Sequence, residues 1–115
     1  MESQIFKLLG DENRLRVVVL LLNRELCMSH ISLGLKLKQA NTSKILKTLN
    51  EEGIVSIRAK KNNRYYSINE QCINKYPDIF EYIRKLQSNK IYLEDLEYAK
   101  SIENCGCQDN CECRF

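Results

Sequence analysis

The chain has 115 residues, the size of one domain rather than two. It is 43% hydrophobic and 29% charged, with no Trp and a single histidine, His30, so one subunit cannot build a multi-histidine zinc site and a triad enzyme would depend on one imidazole. The longest purely apolar run, Val17 to Leu22, is too short to span a bilayer, and the Met-Glu-Ser-Gln start, with no basic stretch leading into an apolar one, predicts a cytoplasmic protein.

Residues 2–9 read as a short amphipathic helix carrying Ile5, Phe6, Leu8 and Leu9, ended by Gly10. Asp11 is placed to cap the next helix. There Leu15, Val18, Val19 and Leu22 recur at helical spacing, with Val17, Leu20 and Leu21 filling the other sides, as in a helix buried nearly all round. The β-branched run would also suit a strand; its polar flanks favour helix. Ser29 is a second capping candidate, before a helix with Ile31 and Leu35 on one face and Leu37 closing it. A short polar turn follows. Thr42, Ile45, Leu46 and Leu49 then form the apolar stripe of a helix of roughly twelve residues. Its opposite face carries Asn41, Ser43, Lys44 and Lys47, and Gly53 sits where a C-terminal glycine cap belongs.

Residues 54–58 and 64–68 read as two strands joined by residues 59–63, where Asn62-Asn63 tolerates a tight turn. Pro77 opens a long final helix whose stripe is Ile79, Ile83 and Leu86, continued by Leu93, Leu96 and Ile102, with Ser88-Asn89 as a potential interruption. That helix exposes more apolar surface than a small domain covers alone, which predicts pairing with a second subunit. The expected fold is mainly α with a β-hairpin wing (α+β): a winged helix-turn-helix, homodimeric. Residues 1–102 form that domain with terminal dimerisation helices, and residues 103–115 form a cysteine-rich tail.

Charge supports the same reading. The net charge is +3, but residues 36–64 hold eight basic side chains (Lys36, Lys38, Lys44, Lys47, Arg58, Lys60, Lys61 and Arg64) against Glu51 and Glu52. A block of that sign attracts phosphate and releases counterions on binding. A solvated lysine-rich face is the plainer alternative. The block coincides with the helix-turn-helix and its wing, the elements that in such modules enter the major groove and lie against the backbone.

Three segments resemble the ArsR/SmtB family of metal-responsive repressors. Leu9-Gly10-Asp11-Glu12-Asn13-Arg14-Leu15-Arg16 resembles the family's L-[AG]-[DN]-x-x-R-L-R opening. Residues 37–49, LKQANTSKILKTL, resemble its recognition segment. Glu52-Gly53-Ile54-Val55 with Arg64-Tyr65-Tyr66-Ser67-Ile68 resembles its wing. The segments span more than half the chain in the family's order. Three positions differ from the pattern. Ile45 replaces a customary His, Lys38 replaces a Ser or Gly cap, and Lys36 replaces a turn glycine, a left-handed position that costs Lys about 1 kcal/mol. The resemblance implies a homodimer that binds double-stranded operator DNA and leaves it when an inducer binds. Gln39, Asn41, Thr42, Ser43, Lys44 and Lys47 would then face DNA from the recognition helix, and Lys60, Lys61, Asn62, Asn63 and Arg64 from the wing. Gln and Asn suit adenine edges; Ser and Lys suit phosphate. Tyr65 and Tyr66 are read as hairpin packing.

Six cysteines complete the inventory: Cys27, Cys72, Cys105, Cys107, Cys111 and Cys113. In a reducing compartment thiol chemistry or metal binding outranks disulfides. The last four form two C-x-C pairs, which bring sulfurs close enough to share one soft ion such as arsenite, antimonite, Cu(I), Cd(II), Pb(II) or Zn(II). Glu25-Leu26-Cys27-Met28-Ser29-His30-Ile31-Ser32 resembles the family's ELCVCDLC arsenic-binding start, but Ser29 and Ser32 stand where two thiols belong. That site cannot form here. Cys27 therefore joins the tail thiols or is a partly buried remnant, and Cys72 reads as structural.

The expected metal ligands are Cys105, Cys107, Cys111 and Cys113, with Cys27. The preference for As(III) or Sb(III) as inducer follows from the resemblance; no organic cofactor is expected. A thiol-redox or persulfide sensor on the same fold is one alternative, as is a repressor sensing another soft ion. A metal-buffering protein without specific DNA binding is an alternative of another class. No phosphate loop or paired-carboxylate signature suggests an enzyme.

Overall fold

The computed structural model describes residues 2–60 and 63–102. Helix α1 (Glu2–Leu9) leads into α2 (Glu12–Asn23), which starts where Asp11 accepts the Arg14 amide at 3.0 Å. Val17 to Leu21 are all buried, so α2 is the axle of the core. The ambiguous apolar run is a helix because the domain surrounds it on every side.

A two-residue strand β1 (Leu26–Cys27), unforeseen from the sequence, comes next. It is too short to show alternation and is held by pairing with residues far along the chain. Helix α3 (Met28–Leu35) begins at Met28, and its cap is Cys27 rather than Ser29: the Cys27 Sγ accepts the His30 amide at 3.4 Å. The close of α3 is a left-handed Lys36 (φ 57°, ψ 40°). There the Lys36 and Leu37 amides return to Leu33 and Ser32, a Schellman closure at which glycine is usual.

Helix α4 (Gln39–Glu51) starts at Lys38, which offers no side-chain cap. It ends in a second Schellman closure through Gly53 (φ 78°), with the Ile54 amide on the Leu49 carbonyl at 2.9 Å. Strands β2 (Val55–Lys60) and β3 (Asn63–Ile68) then pair antiparallel from Val55–Ile68 to Lys60–Asn63. The ladder thus runs further than the expected 54–58 and 64–68, and only residues 61 and 62, outside the described residues, separate the strands. The sheet order is β1-β3-β2.

A short helix α5 (Glu70–Lys75), not expected from the sequence, follows the hairpin, and the expected long final helix is two pieces, α6 (Pro77–Lys85) and α7 (Lys90–Ser101). Pro77 opens α6 as expected. A 3-10 turn at Leu86–Ser88, with Ser88 Oγ donating to the Lys85 carbonyl, separates α6 from α7. The break re-phases the stripe: Leu96 and Ala99 are buried, while Leu93 points outward. Helix α7 lies against α2 and α3. Gly34 permits this, because a Cβ there would meet the Ala99 Cβ at 3.0 Å. Tyr82 on α6 (64% exposed), Ile91, Leu93 and Tyr98 on α7, and Phe6 on α1 leave large apolar side chains exposed among charged neighbours. Among the described residues no helix is long and apolar enough to cross a membrane.

Candidate nucleic-acid interface

The burial of α4 sorts its side chains by angle. Thr42, Leu46 and Leu49 face inward, and Ala40, Lys44, Lys47 and Glu51 form the outermost crest at helical spacing. Gln39 and Ser43 line one flank; Asn41, Ile45 and Thr48 line the other. Gln39, Asn41, Ser43, Lys44 and Lys47 are therefore all exposed on this one helix.

Thr42 does not belong with them. It is 0% exposed, and its Oγ1 donates to the Lys38 carbonyl at 3.2 Å, so it locks the first turn and cannot reach a base. The stripe and the DNA-facing set drawn from the sequence overlapped at this residue, and the core claims it. Ala40, passed over because it carries no polar group, sits on the crest, where a small apolar side chain suits a thymine methyl.

On the wing, Lys60 and Arg64 are exposed and Asn63 is half-buried. Lys61 and Asn62 lie outside the described residues. Arg58 belongs to the same basic block, but its guanidinium grips Glu25 at 2.8 Å and lies 4.7 Å over the Tyr65 ring. It fastens β2 to the segment before β1. Tyr65 is buried and Tyr66 half-buried, so both pack the sheet.

The helix-turn-helix is held from behind by α7. Arg16 donates to both Asp95 oxygens at 2.9 Å and to the Leu35 carbonyl at 2.9 Å. The hydrogen bond to Asp95 holds the guanidinium pKa above its ordinary value, despite opposition from burial. His30, 1% exposed, lies 2.9 Å from the Ala99 carbonyl through Nε2. Lys36 Nζ sits 4.6 Å over the Tyr98 ring. Tyr92 is pushed up by burial and by the nearby Glu12 and Asp95 carboxylates. None of these long-range ties has a local signature in the sequence.

Cys27 is 2% exposed, its sulfur turned to the α3 amide. Among the described residues no group of three or more His, Cys, Asp or Glu comes together to hold an ion, so Cys27 is not part of a preformed metal centre there. Cys105, Cys107, Cys111 and Cys113 lie outside the described residues. Cys72 is buried beside a cavity of about 300 Å³ under α1 and α5, and burial raises its thiol pKa against the pull of Lys75.

Residues 11–56, from the cap of α2 into the wing, match the model for bacterial regulatory proteins of the arsR family. A transcriptional repressor SmtB homolog from Synechocystis is 26% identical over 84 residues. That match covers 72% of this chain but only 64% of the relative, a little under two thirds of its length. Reduced HlyU from Vibrio cholerae shares the fold, with TM-score 0.63 and 24% identity, over 75% of this chain and 84% of that one. So does the homodimeric winged helix-turn-helix DNA-binding domain of Mb0332 from Mycobacterium bovis, with TM-score 0.62 and 19% identity, over 77% and 82%. The helix-turn-helix and its wing thus have the winged helix-turn-helix fold of these solved structures, and residues 11–56 of this chain are similar to the arsR family of bacterial regulatory proteins.

Proposed function

We propose that the chain is a transcriptional repressor that binds operator DNA as a homodimer and leaves it when As(III) or Sb(III) binds cysteine thiolates. The observation that carries the DNA-binding half is α4: a thirteen-residue helix with an inward apolar stripe, an outward crest containing Lys44 and Lys47, and a polar flank of Gln39 and Ser43. Such a helix fits a major groove, with side chains on its outer face reading base edges and lysines holding phosphate. Lys60 and Arg64 on the wing extend the positive surface. The exposed Ile91, Leu93 and Tyr98 of α7, with Tyr82 of α6, support pairing with a second copy, which would give two recognition helices for a twofold-related site.

The ion-responsive half rests on the sequence of the tail, where Cys105, Cys107, Cys111 and Cys113 supply the thiolates. Three of the four suffice for a pyramidal arsenic site, and all four would suit tetrahedral Zn(II) or Cd(II). The role of Cys27 as an extra ligand requires its sulfur to leave the α3 cap.

The test is fluorescence anisotropy of reduced protein on labelled duplex from its own upstream region, at fixed salt. Arsenite, antimonite, Cd(II), Zn(II), Cu(I) and a peroxide are titrated separately. Tight binding released by arsenite or antimonite, and lost as a response when all four tail cysteines become Ser, supports the reading. Release by peroxide alone replaces the inducer with a thiol-redox signal, and no duplex binding at all overturns the repressor.

A further inference from the structure

We propose that the hollow between the start of α2 and the outer flank of α4 seats a phosphate of the DNA backbone, with Arg14 as its main ligand. This rests on the DNA-binding reading above and extends it to a helix outside the basic block. The hollow measures about 260 Å³ and combines Asn13 and Arg14 of α2 with Asn41, Lys44, Ile45 and Thr48 of α4. Ile45 is the one apolar side chain of the lining and the others are polar, a match for a sugar edge beside a phosphate.

The electrostatics favour an anion. Arg14 and Lys44 outnumber Asp11, the one carboxylate in the hollow. One Asp11 oxygen already accepts the Arg14 amide at 3.0 Å, and the other lies 3.9 Å from the guanidinium, beyond hydrogen-bond reach. The Arg14 guanidinium keeps donors for a phosphate, whereas Arg58, inside the basic block, is committed to Glu25 at 2.8 Å.

The position selects DNA as the source of that phosphate. A helix with its side chains is about 10–12 Å across and the major groove about 12 Å wide, so the flanks of an inserted helix abut the sugar-phosphate walls. Asn41 and Thr48 are on such a flank of α4, and Lys44 joins it to the crest. A strand wall on that side would run into the mouth of the hollow.

The experiment measures duplex affinity against salt for the full chain, for Arg14→Ala and for Arg14→Lys, on both the upstream site and an unrelated duplex. Arg14→Ala should flatten the log–log salt slope by about 0.9 per protomer and weaken both duplexes roughly five-fold per protomer at 0.15 M salt. The ratio between the duplexes should hold, because a phosphate contact carries no sequence information. Arg14→Lys should recover most of the slope, which separates a lost phosphate contact from a damaged fold. An unchanged slope in Arg14→Ala overturns this proposal alone. Absence of duplex binding by the unsubstituted chain overturns it together with the repressor reading.

Discussion

Arg16 and Asp95 meet through two hydrogen bonds of 2.9 Å across 79 residues of chain, and the same guanidinium reaches the Leu35 carbonyl at the end of α3. One side chain thus ties the core helix, the last helix and the helix-turn-helix turn. The pair is mostly shielded, at 19% and 13% side-chain exposure, so its loss falls between that of a surface pair and a buried one. Arg16→Ala is expected to cost about 1–3 kcal/mol. Asp95→Ala should cost less, because the guanidinium keeps Leu35 and Asn13 as acceptors. Urea unfolding of the two variants and their double measures this, and additive losses would show that the pair is not coupled.

The turn ahead of α4 holds a compensated strain. Lys36 occupies a left-handed conformation costing a residue with a Cβ about 1 kcal/mol or more, and its ammonium rests over Tyr98. That contact is worth about 0.5–1 kcal/mol at an exposed site. Lys36→Gly in the unsubstituted chain should therefore change stability little. In a Tyr98→Ala background the same substitution should stabilise by about 1 kcal/mol, since only the relieved strain remains. Equal effects in both backgrounds, read by thermal unfolding, would remove Tyr98 from the account.

Lys36 also shows what was legible in the sequence. The departure from glycine and its backbone conformation could be read from one position, because turn geometry is local. The same holds for Asp11, Gly53 and Pro77, each placed by a rule that needs only its neighbours. Strand β1 could not be read: two residues carry no period, and Leu26 and Cys27 are extended because Tyr66 and Tyr65 pair with them. Cys27 as a cap was hidden by the weak hydrogen bonding of sulfur, which leaves Ser29 the better candidate on composition. The break at Leu86–Ser88 was legible as an interruption at Ser88-Asn89, but the new direction was not, because α7 turns to pack on Gly34, a contact set by tertiary structure. Of the candidate interface, the exposed crest was legible from periodicity, and Arg14 was not, since it borders α4 only in three dimensions.

Thr42 and Lys47 should separate folding from binding. Thr42 is enclosed, with its hydroxyl on the Lys38 carbonyl, and Lys47 lies on the crest. Thr42→Ala is expected to cost about 1–2 kcal/mol of stability through a lost methyl and hydrogen bond. The salt slope of DNA binding should stay the same. Lys47→Ala should leave the melting temperature nearly unchanged and flatten the slope by about 0.9 per protomer. Denaturation and anisotropy on the same preparations check both, and a flattened slope in Thr42→Ala would place that residue at the DNA after all.

Cys72 gives the fold an alkaline weakness. Burial disfavours its thiolate and raises its pKa in the folded state, with Lys75 pulling weakly the other way. An unfolded thiol ionises near pH 8.5, so above that pH the unfolded chain releases a proton that the folded chain retains. The folded state then binds more protons than the unfolded one, and stability falls as pH rises. Below that pH the contribution is fully present. Urea unfolding at pH 7.5 and 9.5 should show a larger alkaline loss in the unsubstituted chain than in Cys72→Ala, whose packing defect is the same at both pH values. Equal losses would mean that the Cys72 thiol ionises as readily in the folded chain as in the unfolded one, and that the wall of α5 around it is open to water.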